Sequence, residues 1–248
     1  MGKGYTPGAG TASVGVRVGS SAKTLHRLAT DRSMDVEPVL LRNAEIWRNQ
    51  CTESDPGHPE YEERFLSALD FARVTILDAP LFRGRNLRGS PTPLDHFGPP
   101  SSKNAIAGRY NLKGSPVLYL CDDPKGVHEE VASLPGEDLW VQQFRLPSKI
   151  SLVDTRFLSR DSFANAVFLA IENALDDPAP ALGARVAGLV TAKFHESDGM
   201  IVRGVRAKGE FQYANVVMFR PEKRWTDWLD PTVRPRLYPR HLGFDFRK

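Results

Sequence analysis

Cysteine is scarce in this 248-residue chain: Cys51 and Cys121 are its only two. Two thiols make neither a disulfide framework nor a CxxC metal site, so a reducing, cytoplasmic compartment is expected. Long apolar runs are missing too, and no window approaches the roughly 18 consecutive apolar residues of a membrane helix. The first twenty residues are rich in Gly, Ser and Thr and lack an apolar stretch, so no secretory leader is expected. There is no GxGxxG or Walker-type loop, which argues against Rossmann-bound hydride transfer and P-loop phosphoryl transfer. The six histidines (His26, His58, His96, His128, His195 and His241) form no HExxH and no close pair, and no metal is expected. His128 beside Glu129 reads as a solvated helix face. Ser101-Ser102 has no His/Asp companion pattern for nucleophilic catalysis.

A one-sided charge is absent from most of the chain. Residues 221–248 hold seven basic and four acidic side chains, which accounts for the whole net charge of +3 and leaves the first 220 residues neutral. The body is therefore not basic in the way a nucleic-acid surface requires, and nucleic acid is not expected as a partner. The rival reading, a nucleic-acid binder using Trp225, Trp228 and Arg234-Pro-Arg236, has only this modest charge behind it. An apolar fraction of 41% with 25% charged residues excludes disorder throughout and suits one large or two small domains.

What is present divides the chain into four parts. Residues 1–22 are small and polar and read as a flexible lead-in. Residues 23–80 read as a helical N-terminal extension. Leu40, Ala44, Trp47 and Cys51 form one stripe after Pro38; Tyr61, Phe65, Leu69, Ala72 and Ile76 form a second, opened by Pro59 and closed by Pro80. Residues 81–220 read as the catalytic domain. Residues 83–116, with four arginines among many Gly, Pro, Ser and Asn, should be mostly loop. Strands are expected at 116–120, 139–146, 150–153, 200–202 and 213–219, with a short helix after Asp123-Pro124 and a longer one through Phe163, Val167, Ile171 and Leu175. The Pro-Ala-Pro around residue 180 reads as loop, and 186–194 is ambiguous. Strands and helices mix without a βαβ rhythm, which predicts an α+β fold with a mixed sheet core and flanking helices. Residues 221–248 read as a basic tail packing on the surface.

The densest polar constellation is Phe82-Arg83-Gly84-Arg85, Gly98-Pro-Pro-Ser-Ser102, Gly108-Arg109-Tyr110-Asn111, Tyr119 and Glu130. Arginine forks match phosphate oxygens, tyrosines stack on rings, and a carboxylate steadies positive charge where a glycosidic bond breaks. Taken singly, each residue has a plainer role: a solvated arginine, a core tyrosine, a glutamate on an exposed helix face, a glycine in a turn.

The ordered series resembles the RES domain. The resemblance rests on Phe82-Arg-Gly-Arg85, Gly98-Pro-Pro100, Gly108-Arg-Tyr-Asn-x-x-Gly-x-Pro-Val-Leu-Tyr-Leu120, Asp123-Pro124 and Glu130-Val131. It continues more loosely through Asp198-Gly199 and Asn215-Val-Val-Met-Phe219. It implies a fold related to ADP-ribosyltransferases and cleavage of the nicotinamide–ribose bond of NAD+, with phosphate, water or a protein side chain as acceptor. NAD+ would be the substrate, and an NAD+ phosphorylase or glycohydrolase is the enzyme expected. A protein ADP-ribosyltransferase is one alternative. Carried over by motif, the catalytic residues are Arg83, Arg109 and Glu130. Arg85, Tyr110, Asn111, Tyr119, Arg203 and Arg206 would contact NAD+. Many family members are toxins, so the partners expected are NAD+, inorganic phosphate and a helix-turn-helix antitoxin; a homodimer is a further expectation. The family pattern places a serine after the strand that follows Asp-Gly, and this chain has Gly204 there. Three explanations stand: a subfamily using Arg203 or Arg206 for the phosphates, a shifted alignment, or a weakened enzyme that acts as an NAD/ADP-ribose-binding module.

Overall fold

The first helical stripe forms as its spacing predicts. α1 spans Pro38–Gln50 and buries Leu40, Ala44 and Trp47, with Pro38 in its first turn, where no amide hydrogen is needed. The computed structural model describes residues 36–52, 55, 58–89, 94–131, 137–173, 180–204, 206, 212–219, 221, 225–230 and 232–238. The expected 1–22 lead-in, Leu175 and the last ten residues of the tail lie outside them. α2 spans Pro59–Ala68, and its Glu60 and Glu62 stand at the positive end of the helix dipole. It does not run on to Pro80. A 3-10 turn covers Leu69–Phe71 and Arg73–Thr75 forms strand β1. Val74 and Thr75 are β-branched, and their pairing with Val153 and Leu152 outweighs the helical period of Ala72 and Ile76. The segment before residue 80 thus contributes a strand as well as helices.

A second correction follows directly. The Arg-Gly-Arg run expected to be loop is strand β2, Pro80–Leu87. The other strands are β3 (Val117–Cys121), β4 (Asp138–Arg145), β5 (Leu152–Asp154), β6 (Gly199–Arg203), β7 (Ala214–Phe219) and β8 (Arg236–Tyr238). They make one eight-stranded sheet in the order β1-β5-β6-β7-β3-β2-β4-β8. Only the β5–β6 pairing is parallel, so the sheet is mixed and the fold is α+β. β2 pairs with β4 from Pro80↔Arg145 to Leu87↔Asp138, but with β3 only at Phe82↔Cys121. Beyond that single pair the β2–β3 ladder stops.

Three further α-helices are found among the described residues: α3 (Pro124–Glu130), α4 (Phe163–Glu172) and α5 (Pro180–Lys193). Asp123 caps α3 by accepting the Lys125 amide at 2.7 Å. The Pro-Ala-Pro expected to be loop opens α5 at Pro180, and the ambiguous 186–194 segment is its continuation. Side chains of the central strands alternate between two of the three apolar clusters, the third gathering Cys121, Leu139, Val141 and Tyr238 beside α3. Val217, Met200 and Val202 join α1, α2, α4 and α5 in one cluster; Val216, Met218 and Ile201 join Leu81, Phe97 and Trp228 in the other. Burying a side chain such as Trp47 or Phe65 contributes about 1.5–3 kcal/mol, and α1 and α2 therefore belong to the same core as the sheet. A two-pronged pair from Arg185 to Glu62, both contacts at 2.6 Å, ties α5 to α2.

The described residues between 225 and 238 are built into the fold rather than laid over it. Trp228 is buried, Leu229 bridges to Phe144, and β8 pairs with β4 along the sheet edge. Trp225 packs on Gly98, where a Cβ would approach its ring to 2.6 Å. Of the residues behind the nucleic-acid reading, Trp228 is buried and Trp225 half-buried, while Arg234 and Arg236 are exposed.

Candidate active site

The expected site residues are carried by different elements, among them β2, the 108–111 turn, β3, α3 and β6. Arg83 leaves β2 where the ladder to β3 stops. Its Nη1 donates to the Tyr119 carbonyl (3.0 Å) and its Nη2 to the Gly98 carbonyl (3.2 Å). Burial, with the Arg85 charge beside it, lowers its pKa well below the usual arginine value. A guanidinium that is 7% exposed and bonded to two carbonyls bridges backbone segments. Arg85 repeats the pattern, donating from Nε to His96 and from Nη2 to Gly98. Both arginines anchor the 94–98 turn to the sheet.

Residues 108–111 form a tight turn, closed by the Gly108 amide donating to the Asn111 carbonyl (2.9 Å). Tyr119, on β3, holds it. Its hydroxyl accepts the Tyr110 amide and donates to Asn111 Oδ1, each at 3.0 Å. Asn111 Nδ2 donates onward to the Ile106 and Leu112 carbonyls. Gly108 is required by this close approach, since a Cβ would stand 2.6 Å from Asn111 Oδ1. Burial pushes the Tyr119 phenol up to about 12, so it stays a donor at any working pH. Asn111 and Tyr119, expected to contact substrate, form the frame of the turn. Tyr110, expected to stack on a ring, is 3% exposed and packs against Phe168, with ring centroids 6.4 Å apart. Its ring belongs to the helical core because Tyr119 turns the backbone toward α4.

That frame leaves Arg109 beside a residue that pattern reading missed. Glu172 closes α4, the lone carboxylate of the apolar run Phe163-Ala-Asn-Ala-Val-Phe-Leu-Ala-Ile-Glu172. Burial raises its pKa to about 7, against the opposing pull of the Arg203 and Arg109 charges and the Arg203 backbone amide. Among the described residues, buried Arg109 Nε, Arg203 Nη2 and the Tyr110 hydroxyl have no hydrogen-bond partner. Arg109 and Arg203 thus bring positive charge and uncommitted donors to one carboxyl. The only sequence signal for Glu172 was a single acid at the end of an apolar helix.

The shifted titration of Glu172 has a stability consequence. The folded chain holds this proton to about pH 7, whereas an unfolded glutamate releases it near 4.5. Between those values the folded state binds more protons, so stability falls as pH rises through this window and then levels. Glu172→Gln should remove the fall. The variant should match the parent near pH 4.5 and exceed it at pH 8 by up to ~3 kcal/mol, read from urea unfolding at the two pH values.

Glu130 closes α3. Its Oε1 accepts two hydrogen bonds, from the Tyr213 hydroxyl (2.9 Å) and from Asn215 Nδ2 (2.8 Å). Among the described residues Oε2 accepts none. The charges of Glu130 and Arg109 both bear on the buried Tyr110 hydroxyl. Arg206 is exposed; it donates from Nη1 to the Glu129 carbonyl and from its amide to the Tyr213 hydroxyl. Gly204 lies against the Tyr213 ring, where a Cβ would come within 2.1 Å of it. The ring occupies the space that a side chain at 204 would need. Tyr213 and Asn215 were absent from the expected site because their roles come from tertiary contact. Among the described residues no group of three or more His, Cys, Asp or Glu side chains is placed to hold a metal ion. No described helix is long and apolar enough to cross a membrane.

No curated protein matches the chain. A solved chain from the crystal structure of the M. tuberculosis MbcT–MbcA toxin–antitoxin complex is similar at 13% identity and a TM-score of 0.42, covering 72% of this chain and 91% of that one. The sequence model of the RES domain matches residues 80–230, from the start of β2 through Glu130 and β7 to the turn after Trp228. The matched span holds Arg83, Arg109, Tyr119 and Glu130 in the order that the motifs require, and the chain belongs to the RES domain family.

Proposed function

We propose that this chain is an NAD+-consuming enzyme that cleaves the nicotinamide–ribose bond and passes the ADP-ribosyl group to phosphate or water. The observation that carries the reading is Glu130, a carboxylate with one oxygen fixed by two donors and the other accepting no hydrogen bond among the described residues. The C1′–N bond breaks with its electron pair leaving on neutral nicotinamide, so no strong general acid is needed. Positive charge grows on the ribose as the bond lengthens, and a fixed carboxylate stabilises it. An oxygen of phosphate or water then bonds to C1′ and gives up a proton. Arg109 and Arg203, whose buried donors lack partners among the described residues, suit the pyrophosphate. Arg83 and Arg85 support the site by holding the 94–98 turn. On this reading the sheet is related to that of ADP-ribosyltransferases, and a helix-turn-helix antitoxin is the protein partner.

A second reading, an NAD or ADP-ribose-binding module without turnover, is favoured by the missing side chain at Gly204. One assay separates the two. Protein incubated with NAD+ should release free nicotinamide, and an increase on adding inorganic phosphate identifies phosphate as acceptor. Binding of NAD+ with no nicotinamide released in either buffer would leave the binding module.

A further inference from the structure

Tyr213 is held in a slot made by two glycines from different parts of the chain. A Cβ at Gly126, on α3, would come within 2.6 Å of its ring, and one at Gly204, just after β6, within 2.1 Å. The slot aims the hydroxyl at Glu130 Oε1, 2.9 Å away. The Arg206 amide donates to the same hydroxyl oxygen at 3.1 Å, so the phenol's own hydrogen is directed at the carboxylate. We propose that Tyr213 is a positioning residue for NAD+ cleavage, which with Asn215 locks Glu130 through Oε1 and leaves Oε2 as the oxygen facing the ribose. The proposal rests on the catalytic reading of Glu130 given above. Burial and the adjacent Glu130 charge push the phenol's pKa well up, which keeps the hydrogen in place.

The glycine at 204 acquires a purpose from this geometry. Any side chain there would displace the ring. The arrangement draws on α3, the end of β6 and the start of β7, and all three converge on one carboxylate oxygen. A carboxylate held by two donors loses little freedom when charge develops on the sugar, whereas one held by Asn215 alone can swing.

The test is a comparison of three variants in the nicotinamide-release assay. Tyr213→Phe keeps the ring in its slot and removes only the hydroxyl. Its kcat should fall about tenfold or more, while KM for NAD+ and the affinity for ADP-ribose stay within about twofold. Gly204→Ala keeps the hydroxyl but moves the ring, and should lower kcat in the same way. Glu130→Gln is the reference. If it is inactive while Tyr213→Phe keeps the parent kcat, or raises KM alone, the positioning role is overturned and the proposed function stands. An active Glu130→Gln enzyme overturns both.

Discussion

Replacing Glu130 by glutamine should lower nicotinamide release by about 10²–10³-fold and leave NAD+ affinity within about threefold. Glutamine keeps an acceptor oxygen, so the hydrogen bonds from Tyr213 and Asn215 at 2.9 and 2.8 Å are retained and the side chain stays in place. What changes is the other end of the group, where a neutral amide replaces a charged oxygen. A loss confined to kcat would then measure the electrostatic stabilisation of the oxocarbenium-like transition state, because ground-state NAD+ carries no such charge on its ribose. Nicotinamide quantified by chromatography and NAD+ binding by calorimetry give the two numbers. Turnover within threefold of the parent would remove Glu130 from the chemistry.

Gly183→Ala should be the most damaging added methyl group among the described glycines. A Cβ on this residue of α5 would lie only 1.7 Å from the Arg109 carbonyl oxygen and 2.9 Å from its carbon. The obstacle is backbone, which cannot rotate aside. Either α5 or the 108–111 turn must move. Overpacking of this kind costs typically 1–3 kcal/mol, and the melting temperature should drop by roughly 4–10 °C. The turn also carries Arg109, so KM for NAD+ should rise with the loss of stability. Gly188 provides the control. It is exposed on the same helix with nothing within 4 Å of its would-be Cβ. Gly188→Ala should be neutral or stabilising by about 0.5–1 kcal/mol through helix propensity. Thermal melts of the two variants side by side distinguish a packing clash from a generic response to losing a glycine.

The parts of this fold that sequence pattern revealed are those stabilised by a local apolar period. The stripe Leu40, Ala44, Trp47 is buried as spaced, and so are Val167 and Ile171. β3 and β7 were legible as continuous apolar runs because each is covered on both faces. β2 was not, because its Arg83-Gly84-Arg85 centre carries no strand signal. The arginines are accommodated there by carbonyls of Gly98, Tyr119 and His96, and the glycine by the close approach of Val127 from α3. β1 was hidden by a helical stripe that continued by coincidence through Ala72 and Ile76. Within the candidate site, motif order points to Arg109 and Glu130, the residues on which the proposed function rests. It assigned Tyr110, Asn111 and Tyr119 to the ligand, whereas their side chains build the turn itself. Glu172 offered only a lone acid at the end of an apolar helix and Tyr213 no pattern, since the charges around Glu172 and the Glu130 partner of Tyr213 lie at least 30 residues away in the chain.

The pairing of β8 with β4 bears on how the protein is made. Gln142, in β4, donates to the carbonyl of Val233, 91 positions further along the chain, and Leu139↔Tyr238 closes the sheet at that edge. During synthesis the backbone groups of 138–145 on that side stay unpaired until the ribosome has produced about ninety more residues, roughly 5–20 s at ordinary elongation rates. For that interval the nascent chain exposes a strand edge able to pair with a neighbour on the same message, and conditions that slow translation between codons 146 and 238 should lower the yield of folded protein.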